Sequence, residues 1–138
     1  MTATIHASAV EIAGRGLLIL GPSGSGKSSL ALALMAMGAR LVADDRVILR
    51  VRDGSLVAEC PVPIRGRIEA RGVGILNAAP AGPTAVALVV DLGQAETDRL
   101  PPLRTITLCG VRLPLVLGPL HPHLGAALRQ MLLAGRTD

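Results

Sequence analysis

One eight-residue run constrains this chain more than any other feature in it. Gly21-Pro22-Ser23-Gly24-Ser25-Gly26-Lys27-Ser28 is a full match to G-x-x-x-x-G-K-[ST]. Such a run needs a strand before it and a helix after it. Its glycines permit backbone conformations that turn successive N–H groups inward, making an anion nest at a helix N-terminus. The flanks agree. Leu17–Leu20 is an unbroken apolar run and reads as a fully buried strand. Leu30, Leu34 and Met37 recur at helical spacing and predict a helix over Lys27–Met37, stopped by Gly38. A strand–loop–helix unit of this kind belongs to an α/β fold.

The rest of the chain shows no repeat and no linker long enough to divide it, so residues 1–138 are read as one domain. Ala7–Ala13 alternates and predicts a strand, with Gly14–Gly16 turning into the buried one. Leu41–Ala43 predicts a short strand ending in Asp44-Asp45. Arg46–Arg52 and Ser55–Cys60 flank Asp53-Gly54, the strongest hairpin signal in the chain. Pro61–Pro83 reads as an irregular Gly/Pro-rich excursion, with one short element around Ile64–Ile68. Ala85–Leu92 predicts a buried strand, Thr105–Cys109 and Arg112–Leu117 two more, and Leu124–Leu133 a final helix. Strands with few helices and a hairpin predict an α/β domain built on a mixed sheet.

Composition narrows the functions. Apolar residues make up 50% of the 138, enough for a single packed core. There is no Phe, Tyr or Trp, so the core is aliphatic and no such ring can stack on a nucleic-acid base. The net charge of +4 comes from scattered arginines rather than a run or a stripe. That argues against nucleic acid and fits an anionic nucleotide or an acidic protein partner. Cys60 and Cys109 lie far apart without metal-ligand spacing, the pattern of a reduced intracellular protein with two small buried side chains. No signal-peptide pattern is visible, and no stretch approaches the roughly 20 apolar residues of a membrane span. The expected location is cytoplasmic, with no membrane partner.

The glycine-rich run also carries chemistry. Of 14 Lys and Arg residues, Lys27 is the only lysine. A chain so biased toward Arg keeps a lysine where a compact, flexible point charge is wanted, here on the β- and γ-phosphates of a nucleotide. The Ser28 hydroxyl can hold Mg²⁺. A strand–helix–strand crossover would return the chain parallel to the strand before the loop, setting Asp44-Asp45 at the same sheet edge. Open α/β sheets bind ligands at that edge. Two adjacent carboxylates there can divide the work, one toward Mg²⁺ and one taking a proton from an attacking hydroxyl. A solvated acidic turn is the alternative. The residues together predict a P-loop phosphotransferase using ATP and Mg²⁺.

Four separated stretches then form an ordered set: His6-Ala7, the loop Gly21–Ser28, Leu41-Val42-Ala43-Asp44-Asp45, and Glu69-Ala70-Arg71-Gly72-Val73-Gly74-Ile75-Leu76-Asn77. The set resembles the catalytic domain of HPr kinase/phosphorylase, with its LVADD and E-I-R-G-L-G-I-I-N motifs; Asp98-Arg99-Leu100 is a weaker match. That bifunctional bacterial enzyme phosphorylates a serine on HPr, the phosphocarrier of the sugar phosphotransferase system. The resemblance covers most of the chain. It implies a single P-loop kinase domain with a mixed sheet, of the HPr kinase/phosphoenolpyruvate carboxykinase-like fold, using ATP and Mg²⁺ with an HPr-like phosphocarrier as partner. It also implies roles. Gly21, Pro22, Ser23, Gly24, Ser25, Gly26, Lys27 and Ser28 would bind the nucleotide. Asp45 would accept the proton of the serine hydroxyl, and donate one in the reverse reaction, with His6 beside it. Glu69 would join Ser28 on Mg²⁺, and Arg99 would stabilise charge on the transferring phosphoryl group. Arg71, Gly72, Gly74 and Asn77 would form the family's signature loop, its glycines permitting close approach to phosphate and partner.

The chain also departs from the family. Full-length members carry an N-terminal domain and a C-terminal helical extension without counterparts in these residues, so a short catalytic form is expected. The family's P-V-R-P-G-R segment, linked to removing phosphate from HPr, aligns with Pro119-Leu120-His121-Pro122-His123-Leu124, where both arginines are gone. Kinase activity is expected; phosphorylase activity is in question. His121 and His123 are candidates to replace those charges near neutral pH, against the alternative of a solvated loop. The family is commonly hexameric, which leaves a homo-oligomer open to this chain. Two other functions stay open. A small-molecule P-loop kinase usually carries a lid and a substrate-binding insertion where this chain has a short hairpin. A nucleotide-binding regulatory module would not need Asp45, His6 and Glu69 together.

Overall fold

A computed structural model of the chain describes residues 2–137. The strand ahead of the glycine-rich loop, Arg15–Leu20, is the centre of the fold because both its faces are apolar. Leu17 and Ile19 enter one buried layer and Leu18 the opposite one, the period-2 alternation that a strand imposes. In chain order the strands are β1 (Thr2–His6), β2 (Ser8–Ile12), β3 (Arg15–Leu20), β4 (Arg40–Ala43), β5 (Arg46–Arg52), β6 (Ser55–Glu59), β7 (Arg67–Ala70), β8 (Gly74–Asn77), β9 (Thr84–Ala95), β10 (Arg104–Leu108) and β11 (Val111–Gly118). The helices are α1 (Lys27–Ala36) and α2 (Leu124–Ala134), with a 3₁₀ turn at Val62–Ile64.

β3 pairs parallel with β9 and antiparallel with β2. β9 also pairs parallel with β11 and, through Thr84 and Ala85, antiparallel with β6. This one 12-residue strand therefore joins a parallel centre to an antiparallel run, and the whole is a curled mixed sheet in the order β1-β5-β6-β9-β3-β2-β4, with the β10–β11 hairpin attached at β9. Both helices cover the layer holding Leu17 and Ile19. α1 contributes Leu30, Ala31 and Leu34, and α2 contributes Leu124, Leu128 and Leu132 at a spacing of one helical turn. Each fully buried leucine in that layer stabilises the fold by about 1.5–3 kcal/mol.

The expected mixed α/β fold is the one observed, and most predicted elements fall within a residue or two of their places. The Asp53-Gly54 turn has left-handed φ at both residues (52° and 77°), the two-residue geometry that matches strand twist. Three features differ. The α1 crossover does return β4 parallel to β3, but β2 lies between them, antiparallel to both. The two-residue turn from β2 to β3 closes a far shorter loop than the helical crossover and takes the place beside β3. The Pro61–Pro83 excursion is not irregular throughout, since β7 and β8 pair as a hairpin. Its only inward alternation is Ile68 and Ala70 in a four-residue strand, too short to register as a period, and β8 is exposed along its length. Finally, β1 was not predicted. It lies at the sheet edge against β5, half-exposed, so no apolar run marks it.

Candidate active site

The parallel arrangement of β3 and β4 brings their carboxyl ends to one edge of the sheet. There the glycine-rich loop leaves β3. Ser25 N–H donates to the Pro22 carbonyl (3.1 Å), and Gly26 takes a left-handed φ of 101° as the N-cap of α1. The helix starts at Lys27 with no side-chain cap and no acidic residue in its first turn. Its unpaired amide donors and the positive end of its dipole thus suit an anion. Lys27 is 7% exposed, and its ammonium folds back onto the Gly21 and Pro22 carbonyls at 2.8 and 3.2 Å. An ammonium has three N–H donors, so one remains for a ligand.

The two aspartates that follow β4 separate in both burial and partners. Asp44 is 6% exposed. Its Oδ1 accepts from Ser8 Oγ at 2.8 Å and Ser28 Oγ at 2.7 Å, and its Oδ2 accepts the Glu69 backbone N–H at 3.1 Å. Asp45 turns outward. Its φ is 73°, a left-handed conformation that Asp tolerates better than most residues. Its carboxylate meets His6 Nε2 at 2.9 Å, with both side chains more than half exposed. The pairing is positional: His6 ends β1 opposite Arg46 in β5, and the next residue, Ala7, donates its N–H to the Asp45 carbonyl.

These groups enclose a cavity of about 210 Å³, lined by loop residues Ser23, Gly24 and Gly26 and by Lys27, Ser28 and Ser29 of α1; His6, Ser8, Asp44, Asp45, Glu69 and Arg71 complete it. A second, open depression shares the His6–Asp45 pair and is lined besides by Thr4, Ile5 and Arg46. Asp45 therefore lines both spaces.

Of the residues singled out from the sequence, His6, Ser23, Gly24, Gly26, Lys27, Ser28, Asp45, Glu69 and Arg71 meet at this cavity. Gly21, Pro22 and Ser25 shape the loop from behind, two of them as the acceptors for Lys27. Gly72, Gly74 and Asn77 lie in the exposed turn and return strand of the β7–β8 hairpin, outside the lining. Arg99 is exposed in the bend after β9 and does not line the cavity either. His121 precedes α2 and is not part of the cavity lining. Burial, with the neighbouring His123 as a lesser cause, pushes its imidazole below the usual range, which favours the neutral form. The loop carrying both histidines nonetheless reaches the site, since a Cβ built on Gly26 would meet the Leu120 side chain at 2.7 Å.

Sequence reasoning missed Ser8 and Ser29. Ser29 simply follows the motif. Ser8 carried a signal, being a lone hydroxyl between Ala7 and Ala9 in a strand buried along its whole length. Such a hydroxyl must find its partner inside the protein.

A family model described as the HPr Serine kinase C-terminal domain matches residues 1–116. The chain belongs to this family. Similar proteins include the HPr kinase/phosphorylase of Lactobacillus acidophilus, 39% identical over 126 residues, a match covering 82% of this chain and 39% of that protein. The HPr kinase/phosphorylase of Peptoclostridium acidaminophilum is 51% identical over 75 residues, covering 54% of this chain and 24% of its own length. The chain thus spans well under half the length of these curated relatives. Among solved structures, the Hpr(Ser) kinase/phosphatase from Coxiella burnetii superposes with a TM-score of 0.81 at 31% identity, covering 94% of this chain and 93% of that one. No helix among the described residues is long and apolar enough to cross a membrane.

Proposed function

We propose that this chain is the catalytic unit of a cytoplasmic, ATP- and Mg²⁺-dependent kinase that phosphorylates a serine of an HPr-like phosphocarrier. The reading is carried by the His6–Asp45 pair, an exposed carboxylate oriented by an imidazole at 2.9 Å on the wall of the cavity that the glycine-rich loop also lines. A nucleotide-binding module needs the loop but has no use for a base beside it. Membership of the HPr serine kinase family and the similarity to Hpr(Ser) kinase/phosphatase from Coxiella burnetii support the acceptor class.

In this reading the α1 amides and Lys27 hold the β- and γ-phosphates of ATP. The acceptor serine enters from the open depression and meets Asp45. Asp45 takes the hydroxyl proton as the serine oxygen forms its bond to the γ-phosphorus. The bond between that phosphorus and the β–γ bridging oxygen breaks, and ADP leaves with the electron pair. The oxygens of Ser28 and Glu69 on the cavity wall are the hard donors that Mg²⁺ prefers, with Asp44 behind Ser28, and Mg²⁺ keeps waters and phosphate oxygens for its remaining positions. When bound it would neutralise charge on the phosphates. Arg71, on the same wall, adds a cation beside them.

The test is transfer of label from γ-labelled ATP to the HPr-like carrier of the same organism, with Asp45→Asn as control. The native chain is expected to leave acid-stable label on a carrier serine, and the Asn variant to transfer about 10²-fold or more slowly with nucleotide binding retained. Transfer at the native rate by the variant would place the base elsewhere. Tight ATP–Mg²⁺ binding without label would favour a regulatory module.

A further inference from the structure

We propose that Ser8 is a positioning residue for the metal end of this site, acting through Asp44 on Ser28. The inference rests on reading the cavity as an ATP–Mg²⁺ site. A carboxylate has about four lone-pair positions. In Asp44 three are used: two on Oδ1 by the Ser8 and Ser28 hydroxyls, and one on Oδ2 by the Glu69 N–H. Oδ1 is therefore full. It has no position left for a direct bond to a cation.

The count has a consequence for Ser28. Its single hydroxyl proton is committed to Asp44, which leaves its lone pairs for a ligand in the cavity that Ser28 lines, as a Mg²⁺ ligand needs. That orientation is only as good as the position of Oδ1, and Ser8 fixes Oδ1 from the side of β2. Nothing nearby duplicates it. Ala7 and Ala9 have no side-chain donor, and the Ala7 N–H is taken by the Asp45 carbonyl. Ser8 is 1% exposed, its side chain bonds Asp44, and an unbonded hydroxyl there would be unfavourable. Without Ser8, the carboxylate keeps the Glu69 N–H on Oδ2 and only the Ser28 hydroxyl on Oδ1, so the oxygen that orients Ser28 is no longer held from the side of β2.

The experiment titrates Mg²⁺ against binding of a ribose-labelled fluorescent ATP for the native chain, Ser8→Ala and Ser8→Thr. Binding without metal and thermal unfolding are measured alongside. Ser8→Ala is expected to raise the half-saturating Mg²⁺ concentration about tenfold, the low end of the loss seen when a group supporting a metal ligand is removed. Metal-free nucleotide affinity should change far less than the Mg²⁺ midpoint, and Ser8→Thr, which keeps the donor, should restore the native midpoint. A purely structural serine would lower the unfolding temperature and leave the Mg²⁺ midpoint alone. An unchanged or lowered midpoint in folded Ser8→Ala overturns the proposal, as does failure of Ser8→Thr to restore it. If the native chain shows no Mg²⁺-dependent nucleotide binding, the reading of the cavity fails first and the role of Ser8 with it.

Discussion

Replacing Lys27 by Met keeps most of the length of the side chain and removes its ammonium, and the structure allows the cost to be divided between binding and folding. On the binding side, a unit charge about 4 Å from a phosphate charge contributes about 4 kcal/mol at an effective dielectric near 20. The cavity is open to water and the ammonium already has two carbonyl partners, so about 3 kcal/mol is a reasonable net loss, or about 10²-fold in affinity. On the folding side, the Gly21 and Pro22 carbonyls lose a donor. Neither residue is buried, so water can replace it, and the cost is about 1 kcal/mol, a fall of about 4 °C in melting temperature. Fluorescent-ATP titration with a parallel thermal melt separates the two. An affinity loss below about threefold in a variant that melts within a few degrees of the native chain would refute the reasoning, because 3 kcal/mol predicts far more.

Two further predictions concern the acidic residues. Glu69→Gln removes a charged oxygen from the cavity wall and is expected to raise the Mg²⁺ midpoint for nucleotide binding about tenfold; a midpoint equal to the native one would exclude Glu69 from the metal. Glu96 is gripped by Arg104 at 2.8 and 2.9 Å, and that hydrogen bond is the main reason its carboxyl is held down to about 2 from an ordinary 4.5. A carboxylate with a depressed folded value adds stability above its unfolded pKa and loses it as pH falls through the folded one. Urea midpoints of the native chain should therefore decline between pH 4.5 and about 2, and Glu96→Gln should flatten part of that decline. Equal slopes for the two proteins would show that the pair does not contribute.

What the sequence determined by itself was whatever is local in the chain. The run Gly21–Ser28 encodes its own loop because its anion nest is made by consecutive residues, and the apolar stretch before it and the spaced leucines after it settle strand and helix. Asp53-Gly54 fixes its hairpin for the same reason: two adjacent residues carry the whole turn. Asp45, His6 and Glu69 stood out as a set through resemblance to a family, since a histidine near a terminus or a glutamate in a loop has no local pattern. Tertiary structure decided the rest. It inserted β2 between β3 and β4, and it left Arg99 away from the cavity. It also brought Ser8, Ser28 and Glu69 onto Asp44 across 36, 16 and 25 residues of chain. Asp44 and Asp45 are neighbours with similar chemistry, yet one is buried under three donors and the other faces solvent beside His6. The left-handed turn at Asp45 and the packing of β2, α1 and β7 make that difference, and these are long-range contacts that no run of adjacent residues encodes.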